Sequence, residues 1–288
     1  MKNKNSLVMG ILLSSLFIFG CSPVSQEQKD EKLNVIVSIL PQKAFVNAVG
    51  GDLVNVKELI PPGGSPATYE PKPGDLALVE KADIYFRIGY IPFEKSHVDK
   101  FVGLNPDMNV VDTSVNVQLR HFGEHEKHSH EHEEDEEMHE KHDEEEHNYG
   151  SVDPHIWLSP MQVKKQVDVI AQTLSQKDPA NADTYNKNAE NFKNQLDVLH
   201  SEIESEFSEL KKDKLMVFHP AWGYFADEYG LEQIAIEQAG KEPTAQELQH
   251  IIRVAKEEKI RVIFIQSQFN KEIAESIAEE AGAVVVPI

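Results

Sequence analysis

The sequence is poor in cysteine and in long apolar runs, and each shortage limits the class of protein. Cys21 is the only cysteine among 288 residues, so no disulfide can form within the chain. Residues 6–20 form an apolar run, but its roughly fourteen apolar-biased residues are too few to span a hydrocarbon core of about 30 Å. Two lysines, Lys2 and Lys4, precede the run, as in a secretory signal peptide. We therefore predict an exported protein with a signal peptide at residues 1–20.

The position of Cys21 indicates a lipid anchor. It directly follows the apolar run with Gly20 before it, as at a bacterial lipoprotein cleavage site, although Phe19 stands where a small residue is usual. We predict that Cys21 carries the lipid, that residues 21–32 form a polar tether, and that the lipid alone holds the protein at the periplasmic or cell-surface face of the envelope. An ordinary signal peptide followed by an incidental cysteine is the alternative.

Basic residues are also scarce. The chain has 28 lysines and arginines against 49 aspartates and glutamates, for a formal charge of −21. A phosphate backbone attracts basic surfaces, so this balance argues against nucleic acid as a partner.

The signatures of a hydrolytic enzyme are missing as well. A zincin needs two histidines at positions i and i+4 of one helix, whereas the two "HEKH" stretches, beginning at His125 and His139, are one residue too short. No nucleophile and base flank a glycine elbow. We predict that the protein is not an enzyme.

Histidine and acid are abundant in one stretch, residues 121–147. Thirteen acids and two lysines there contribute −11 to the net charge, and apolar residues are almost absent. Such a composition cannot bury enough apolar area to offset the entropy of ordering, so we predict a disordered loop. Its imidazoles and carboxylates would hold several zinc ions weakly, although a merely solvating acidic loop is the alternative. The eight candidate ligands are His121, His125, His128, His130, His132, His139, His142 and His147.

The rest of the chain alternates short apolar strands with amphipathic helices, which predicts parallel sheets flanked by helices in an α/β fold. The pattern occurs twice, before and after a helix predicted from Asp178 to about Leu210, roughly 45 Å long and able to bridge two lobes. The predicted divisions are an N-terminal α/β lobe at 33–158 that includes the loop 121–147, bridging helices at 159–212, and a C-terminal α/β lobe at 213–288. The chain ends on its last predicted strand, so we expect that lobe to lack a final segment.

Two histidines outside the loop lie where a ligand site is expected. His155, in "SVDPHIWLSP", precedes a helix cap, and His219, in "LMVFHPAWGYF", ends a predicted parallel strand. Ligands of open α/β sheets bind beyond the carboxyl ends of strands. A structural histidine is the alternative at either position, but two at such junctions favour a metal site.

Four motifs, "PPGGSPATYEPKP", "VDPHIWLSP", "HPAWGYFADEYGL" and "GKEPTAQEL", resemble those of zinc/manganese solute-binding proteins of bacterial ABC importers. The resemblance covers Leu33 to Ile288 in order. It implies two α/β lobes bridged by a long rigid helix, with the metal in the cleft between them. It also implies partners, an ABC permease and its ATPase, and we expect a monomer that delivers Zn²⁺ to them, Mn²⁺ being the other candidate metal.

The resemblance implies that His155 and His219 are metal ligands, and histidine at the second position favours zinc over manganese. Two departures stand out. Ala67 occupies the place of the family's first ligand, and the family's last ligand would lie beyond Ile288. Glu70, a loop histidine or water could complete the site, and His97 is a further auxiliary candidate.

Three other functions remain open at this point. The protein could be a metallochaperone, or a metal-scavenging or adhesin-type surface lipoprotein with no transport role. It could bind Mn²⁺ or another metal through altered ligands. The alanine at position 67 could also mark a member that has lost tight binding.

Overall fold

The two halves of the chain each form a four-stranded parallel sheet. In this computed structural model, the described residues are 32–122, 151–210, 214–237 and 242–288. The strands are β1 (Leu33–Val37), β2 (Val54–Glu58), β3 (Ile84–Arg87), β4 (Asn109–Asp112), β5 (Lys214–Val217), β6 (Glu232–Ala235), β7 (Val262–Ile265) and β8 (Val284–Pro287). The first sheet has the strand order β2-β1-β3-β4 and the second the order β6-β5-β7-β8, and all pairings are parallel.

Helices connect the strands and cover the sheets, as the right-handed crossovers of parallel strands require. The predicted α/β fold with two parallel sheets is therefore confirmed. Within the described residues the helices are α1 (Leu40–Gly50), α2 (Pro73–Val79), α3 (Pro92–Leu104), α4 (Pro160–Lys177), α5 (Ala182–Ser208), α6 (Gly223–Tyr229), α7 (Ala245–Glu257) and α8 (Glu272–Ala281).

The strand order determines where a ligand can bind. In each half the first strand is central, and the chain turns to one side of it for the second strand and to the other side for the third. Loops beyond the carboxyl ends of such neighbouring strands diverge and leave a crevice. In the second half that crevice lies beside the end of β5, and His219 follows β5 by two residues.

Helix α5 runs from the first half to the second. Its 27 residues are about 40 Å long. Tyr185 and Leu196 are buried against the core that β1, α1 and α4 form, while the ring of Phe207 near the other end lies 5.7 Å from that of Phe225 in α6. This agrees with the predicted bridging helix. Leu199 is spaced like the apolar residues Leu196 and Ile203 on one face of α5, but it is 44% exposed.

Two helices, α4 and α7, begin with a side-chain cap. The Ser159 hydroxyl accepts a hydrogen bond from the backbone N–H of Gln162, and Thr244 and Glu247 form a reciprocal capping box. The bridging helix begins at Ala182, later than the start at Asp178 predicted from the sequence. A 3-10 turn, Pro179–Asn181, precedes α5, and the Asp178 carboxylate accepts a hydrogen bond from the Tyr185 hydroxyl at 2.8 Å.

No helix in the described ranges combines the length and the apolar character that crossing a membrane requires. The predicted signal peptide and Cys21 lie outside these ranges, as does the tether apart from Lys32.

A buried carboxylate joins the loops at the carboxyl ends of β1 and β3. Glu94 is fully buried and accepts hydrogen bonds from the Ser38 hydroxyl and from the backbone N–H groups of Ile88, at 2.9 Å, and Gly89, at 2.6 Å. Burial raises the pKa of Glu94 to about 7, although these hydrogen bonds oppose the rise. The group therefore binds its proton more tightly in the folded protein than in the unfolded chain.

This raised pKa predicts a pH-dependent stability difference between the wild type and Glu94→Gln. Between pH 4.5 and 7 the folded wild type holds a proton that the unfolded chain has lost. The free energy of unfolding of the wild type, relative to the variant, should therefore decrease by about 1.4 kcal/mol per pH unit as the pH rises through this range. Urea unfolding of both metal-free proteins at several pH values measures it. A difference that does not change with pH contradicts the raised pKa.

Candidate metal centre

His155 is oriented by the aspartate two residues before it. The Asp153 carboxylate is fully buried, and its Oδ1 accepts hydrogen bonds from the backbone N–H of His155 at 3.0 Å and from Nδ1 of the same residue at 2.6 Å. An ionised carboxylate only accepts, so Nδ1 must carry the proton. The Nε2 lone pair of His155 is then available to a ligand.

His219 is oriented in the same way by a different strand. Its Nδ1 lies 3.0 Å from Oε2 of Glu237, a buried residue that follows β6 as His219 follows β5. Glu237 is itself held by its backbone N–H, which donates to the carbonyl of Phe218 at 2.8 Å. A carboxylate hydrogen-bonded to Nδ1 is the usual support of a metal-binding histidine, because it fixes the tautomer and the ring orientation.

The two Nε2 atoms face each other 3.3 Å apart. Two nitrogen atoms that each lie about 2.0–2.1 Å from a tetrahedral zinc ion are about 3.3 Å apart. The spacing of the two imidazoles therefore fits a shared zinc ion. The structure brings together the two histidines that the sequence predicted as ligands, although they are 64 residues apart in the chain.

Aromatic rings contact both imidazoles. Trp157 and Phe122 lie edge-on to the His155 ring, with ring centroids at 5.1 and 6.4 Å, and Phe269 stacks on His219 at 5.1 Å. Burial lowers the pKa of His155, against the opposing effect of the Asp153 carboxylate. The neutral imidazole, which is the form that binds metal, is thereby favoured.

The predicted auxiliary ligands, Glu70 and His97, lie beside each other. Nε2 of His97 is 3.2 Å from the carboxylate of Glu70, and its Nδ1 is 2.8 Å from the carbonyl of Phe93. Ala67 is exposed and contributes only a methyl group. Among the described residues, no three His, Cys, Asp or Glu side chains are grouped to hold one ion. Glu70 and His97 therefore do not join His155 and His219 in such a group.

The first two residues of the histidine-rich stretch, His121 and Phe122, lie beside the imidazole pair. His121 forms an antiparallel bridge with Val152, and the backbone N–H of Phe122 donates to the carbonyl of Ser151 at 3.1 Å. Phe122 is also one of the rings that contact His155. The other seven predicted loop ligands, from His125 to His147, lie outside the described residues.

The two carboxylates were not among the site residues predicted from the sequence. Asp153 lies within the motif "VDPHIWLSP", and a hydrogen-bonding acid two residues before a candidate ligand was a signal that could have been used. Glu237 carried a weaker signal, since it comes just after the predicted strand "LEQIAI". Its proximity to His219 depends on β5 and β6 being neighbours, which the sequence does not specify.

Comparison with known proteins identifies the family. Residues 35–288 match the family model described as "Zinc-uptake complex component A periplasmic". The chain belongs to this ZnuA family, which confirms the predicted resemblance. Members of the family are described as a component of an uptake complex, which confirms the prediction that the protein is not an enzyme.

Curated relatives carry names consistent with this family. The chain is 31% identical to the "High-affinity zinc uptake system protein ZnuA" of Bacillus subtilis, with 90% of this chain and 78% of that protein covered. It is 30% identical to the "Zinc-binding lipoprotein AdcA" of Streptococcus pneumoniae, with 94% of this chain covered. The chain spans about half the length, 52%, of that relative.

Solved structures agree with the fold. A crystal structure of ZnuA superposes with a TM-score of 0.78 at 37% identity, with 89% of this chain and 91% of that chain covered. The laminin-binding protein Lmb of Streptococcus agalactiae, described as bifunctional with adhesin and metal transporting activity, has a TM-score of 0.74 at 25% identity, with 90% of this chain and 89% of that chain covered.

The hydrogen bond behind His155 yields a prediction for Asp153→Asn. The new amide can donate to Nδ1, which favours the tautomer with a protonated Nε2 that cannot bind metal. Zinc affinity should fall by about 10- to 100-fold, as measured by titration against a competing chelator. Asp168→Asn is the matched control, because that carboxylate is 58% exposed on α4. Equal affinities for the two variants would contradict the role of Asp153.

Proposed function

We propose that this protein is an extracytoplasmic solute-binding lipoprotein that captures Zn²⁺ and delivers it to an ABC importer. The observation that carries the proposal is the pair of Nε2 atoms 3.3 Å apart, each on an imidazole oriented by a buried carboxylate. Membership of the zinc-uptake family supports the same cargo. Zinc is the transported substrate here, and His155 and His219 are its ligands.

The ligands come from different halves of the protein. His155 precedes α4, after the first sheet, and His219 follows β5 of the second sheet. An ion bound by both therefore stabilises the arrangement in which the two halves are close, and loss of the ion removes that stabilisation. This gives the permease a basis for telling the loaded protein from the empty one.

Imidazole ligands favour zinc over manganese. Neutral imidazole suits zinc and its neighbours among the transition metals, whereas manganese sites are richer in carboxylate, carbonyl and water. The two carboxylates beside the pair, Asp153 and Glu237, hydrogen-bond to Nδ1 atoms and so serve to orient the rings. A ZnuA deletion mutant with zinc bound, 36% identical to this chain, is among the similar structures, with a TM-score of 0.77.

The histidine-rich stretch serves as a low-affinity antenna in this proposal. Phe122 and Ser151, which flank residues 123–150, are hydrogen-bonded to each other beside His155. Ions held weakly by His125 to His147 would therefore be concentrated near the tighter site, since local carboxylates and imidazoles raise the cation concentration. His121, whose backbone bridges to Val152, marks the start of this stretch.

The anchor and the partners are part of the proposal. Cys21 carries the lipid, and residues 21–32 tether the folded part to the membrane surface. The partners are a membrane permease and its ATPase, in keeping with a family described as a component of an uptake complex.

Zinc titration calorimetry on residues 32–288 tests this proposal. His155→Ala and His219→Ala should each abolish a tight one-to-one phase, because one imidazole alone cannot hold the ion tightly. Replacing residues 123–150 with a short glycine-containing turn should remove only weak additional sites. Such a turn can close the chain because Phe122 and Ser151 already lie side by side.

His250→Ala is the matched control, since His250 is exposed on α7. It should leave the tight phase unchanged. If all zinc binding disappears with residues 123–150, the site between the two halves is not functional and the transport proposal is wrong.

The tight phase should depend on pH in one direction. Protons compete with zinc for Nε2, so affinity should fall as the pH decreases. Burial lowers the pKa of His155, so competition at this residue should begin only below about 6.5, the ordinary value for histidine. Titrations from pH 8 to pH 5 on the turn-replaced protein measure this dependence. A constant affinity over that range would exclude histidine ligation.

A further inference from the structure

Arg120 joins the two halves of the protein immediately behind the imidazole pair. Its Nε donates to Asp227 Oδ2 on α6 at 3.0 Å, and its Nη1 lies 3.4 Å from Asp153 Oδ2. The Arg120 side chain is only 12% exposed. One guanidinium thus contacts two carboxylates. Asp153 belongs to the segment that carries His155, and Asp227 belongs to α6, the helix that follows His219.

Asp153 divides its two oxygens between different partners. Oδ1 accepts from the backbone and ring of His155, while Oδ2 faces Arg120. A fully buried carboxylate is costly unless it is paired and hydrogen-bonded, so the position of Asp153 depends on both partners. A displacement of the Arg120 guanidinium is therefore transmitted directly to the hydrogen bond that orients His155.

The backbone of Arg120 is fixed at the same place. Its N–H donates to the Tyr224 hydroxyl at 2.9 Å, and that hydroxyl donates to the carbonyl of Asp153, also at 2.9 Å. The carbonyl of Arg120 in turn accepts from the backbone N–H of Asp153 at 2.8 Å. Tyr224 belongs to α6, yet its side chain is buried in the hydrophobic core of the first half.

Gly223, the first residue of α6, makes room for this arrangement. A Cβ built on Gly223 would lie 2.4 Å from Nη1, 2.5 Å from Cζ and 2.7 Å from Nε of Arg120. The guanidinium therefore packs against the backbone of the helix, and any side chain at this position would displace it. Because the Gly223 φ angle is not positive, close approach and not backbone conformation requires glycine here.

Helix α6 is also closely connected to His219. Only residues 220–222 separate them, and within this turn the backbone N–H of Ala221 donates to the carbonyl of His219 at 2.7 Å. The backbone N–H of Trp222 donates to the side chain of Gln233 at 2.7 Å, which fixes the turn to β6. A movement of α6 therefore moves His219.

We propose that Arg120 is a positioning residue that aligns the two imidazoles, by tying the carboxylate behind His155 to the helix that follows His219. This rests on the proposed function, in which the two imidazoles share a zinc ion. If the halves separate, Arg120 must lose at least one of its carboxylates, so separation and misalignment of the imidazoles occur together. Arg120 is thus the element through which closure of the halves favours zinc binding.

The experiment compares two variants that displace the guanidinium by different routes. Arg120→Gln removes it, and Gly223→Ala displaces it through the added methyl group while keeping every charge. Arg253→Gln, at an exposed position on α7, and Gly103→Ala, a helical glycine whose Cβ would meet nothing within 4 Å, are the matched controls. Alanine is a better helix former than glycine, so Gly223→Ala should not weaken α6 itself.

The first measurement is hydrogen–deuterium exchange of the metal-free full chain. Both test variants should exchange faster than the wild type in residues 151–158 and 223–229, and the controls should not. Unchanged exchange in both segments would overturn the proposal that Arg120 links Asp153 to α6. This measurement needs no zinc, so it tests the role of Arg120 independently of the proposed function. The proposed function is refuted by a different result, namely that the wild type shows no tight zinc phase that depends on His155.

The second measurement is the affinity of the tight zinc phase. Each test variant should bind zinc about tenfold more weakly, in the range found when groups behind metal ligands are removed. The ligand-field spectrum of bound Co²⁺ should change in both, because the imidazole geometry changes. The double variant Arg120→Gln/Gly223→Ala should lose no more affinity than the weaker-binding single variant, since each change disrupts the same contacts. Additive losses, or losses matched by the controls, would overturn the role of Arg120.

Discussion

The hydrogen bonds that two imidazole Nδ1–H groups donate to two buried carboxylates are the interaction on which the site depends. Asp153 and Glu237 each fix one ring, and the two Nε2 atoms then meet 3.3 Å apart. Without these acceptors, each imidazole could rotate or adopt the other tautomer. The aromatic rings around the pair and the burial of His155 favour the neutral form that a metal requires.

This site requires the two halves to be held together, and several parts of the fold contribute. Helix α5 packs on the core of the first half and reaches α6 of the second at Phe207. Helix α6 has only seven residues, but it carries Tyr224 into the first core and Asp227 to Arg120. His121, the first residue of the histidine-rich stretch, pairs with Val152 at the same location. The proposed metal site and the contacts between the halves therefore lie next to each other in the structure.

The main features of the fold and part of the site could be predicted from the sequence. Alternating strand and helix patterns gave both parallel sheets, and two motifs gave His155 and His219, because ligands collect at the ends of parallel strands. The local details were less predictable. Asp178 resembles a helix cap in sequence, but the nearby Tyr185 hydroxyl takes its carboxylate. Leu199 fits a helical stripe, but it lies where α5 has left the first core.

The sequence by itself determined the periodicity of the elements, the acidic histidine-rich stretch and the identity of two histidines beside strand or helix ends. These are local properties, set by residue type and spacing along the chain. Only the tertiary structure decided that His155 and His219 face each other, that Glu237 rather than another acid supports His219, and that Arg120 reaches Asp227, 107 residues away. Such contacts depend on strand order and on the packing of one half against the other, which no local pattern specifies.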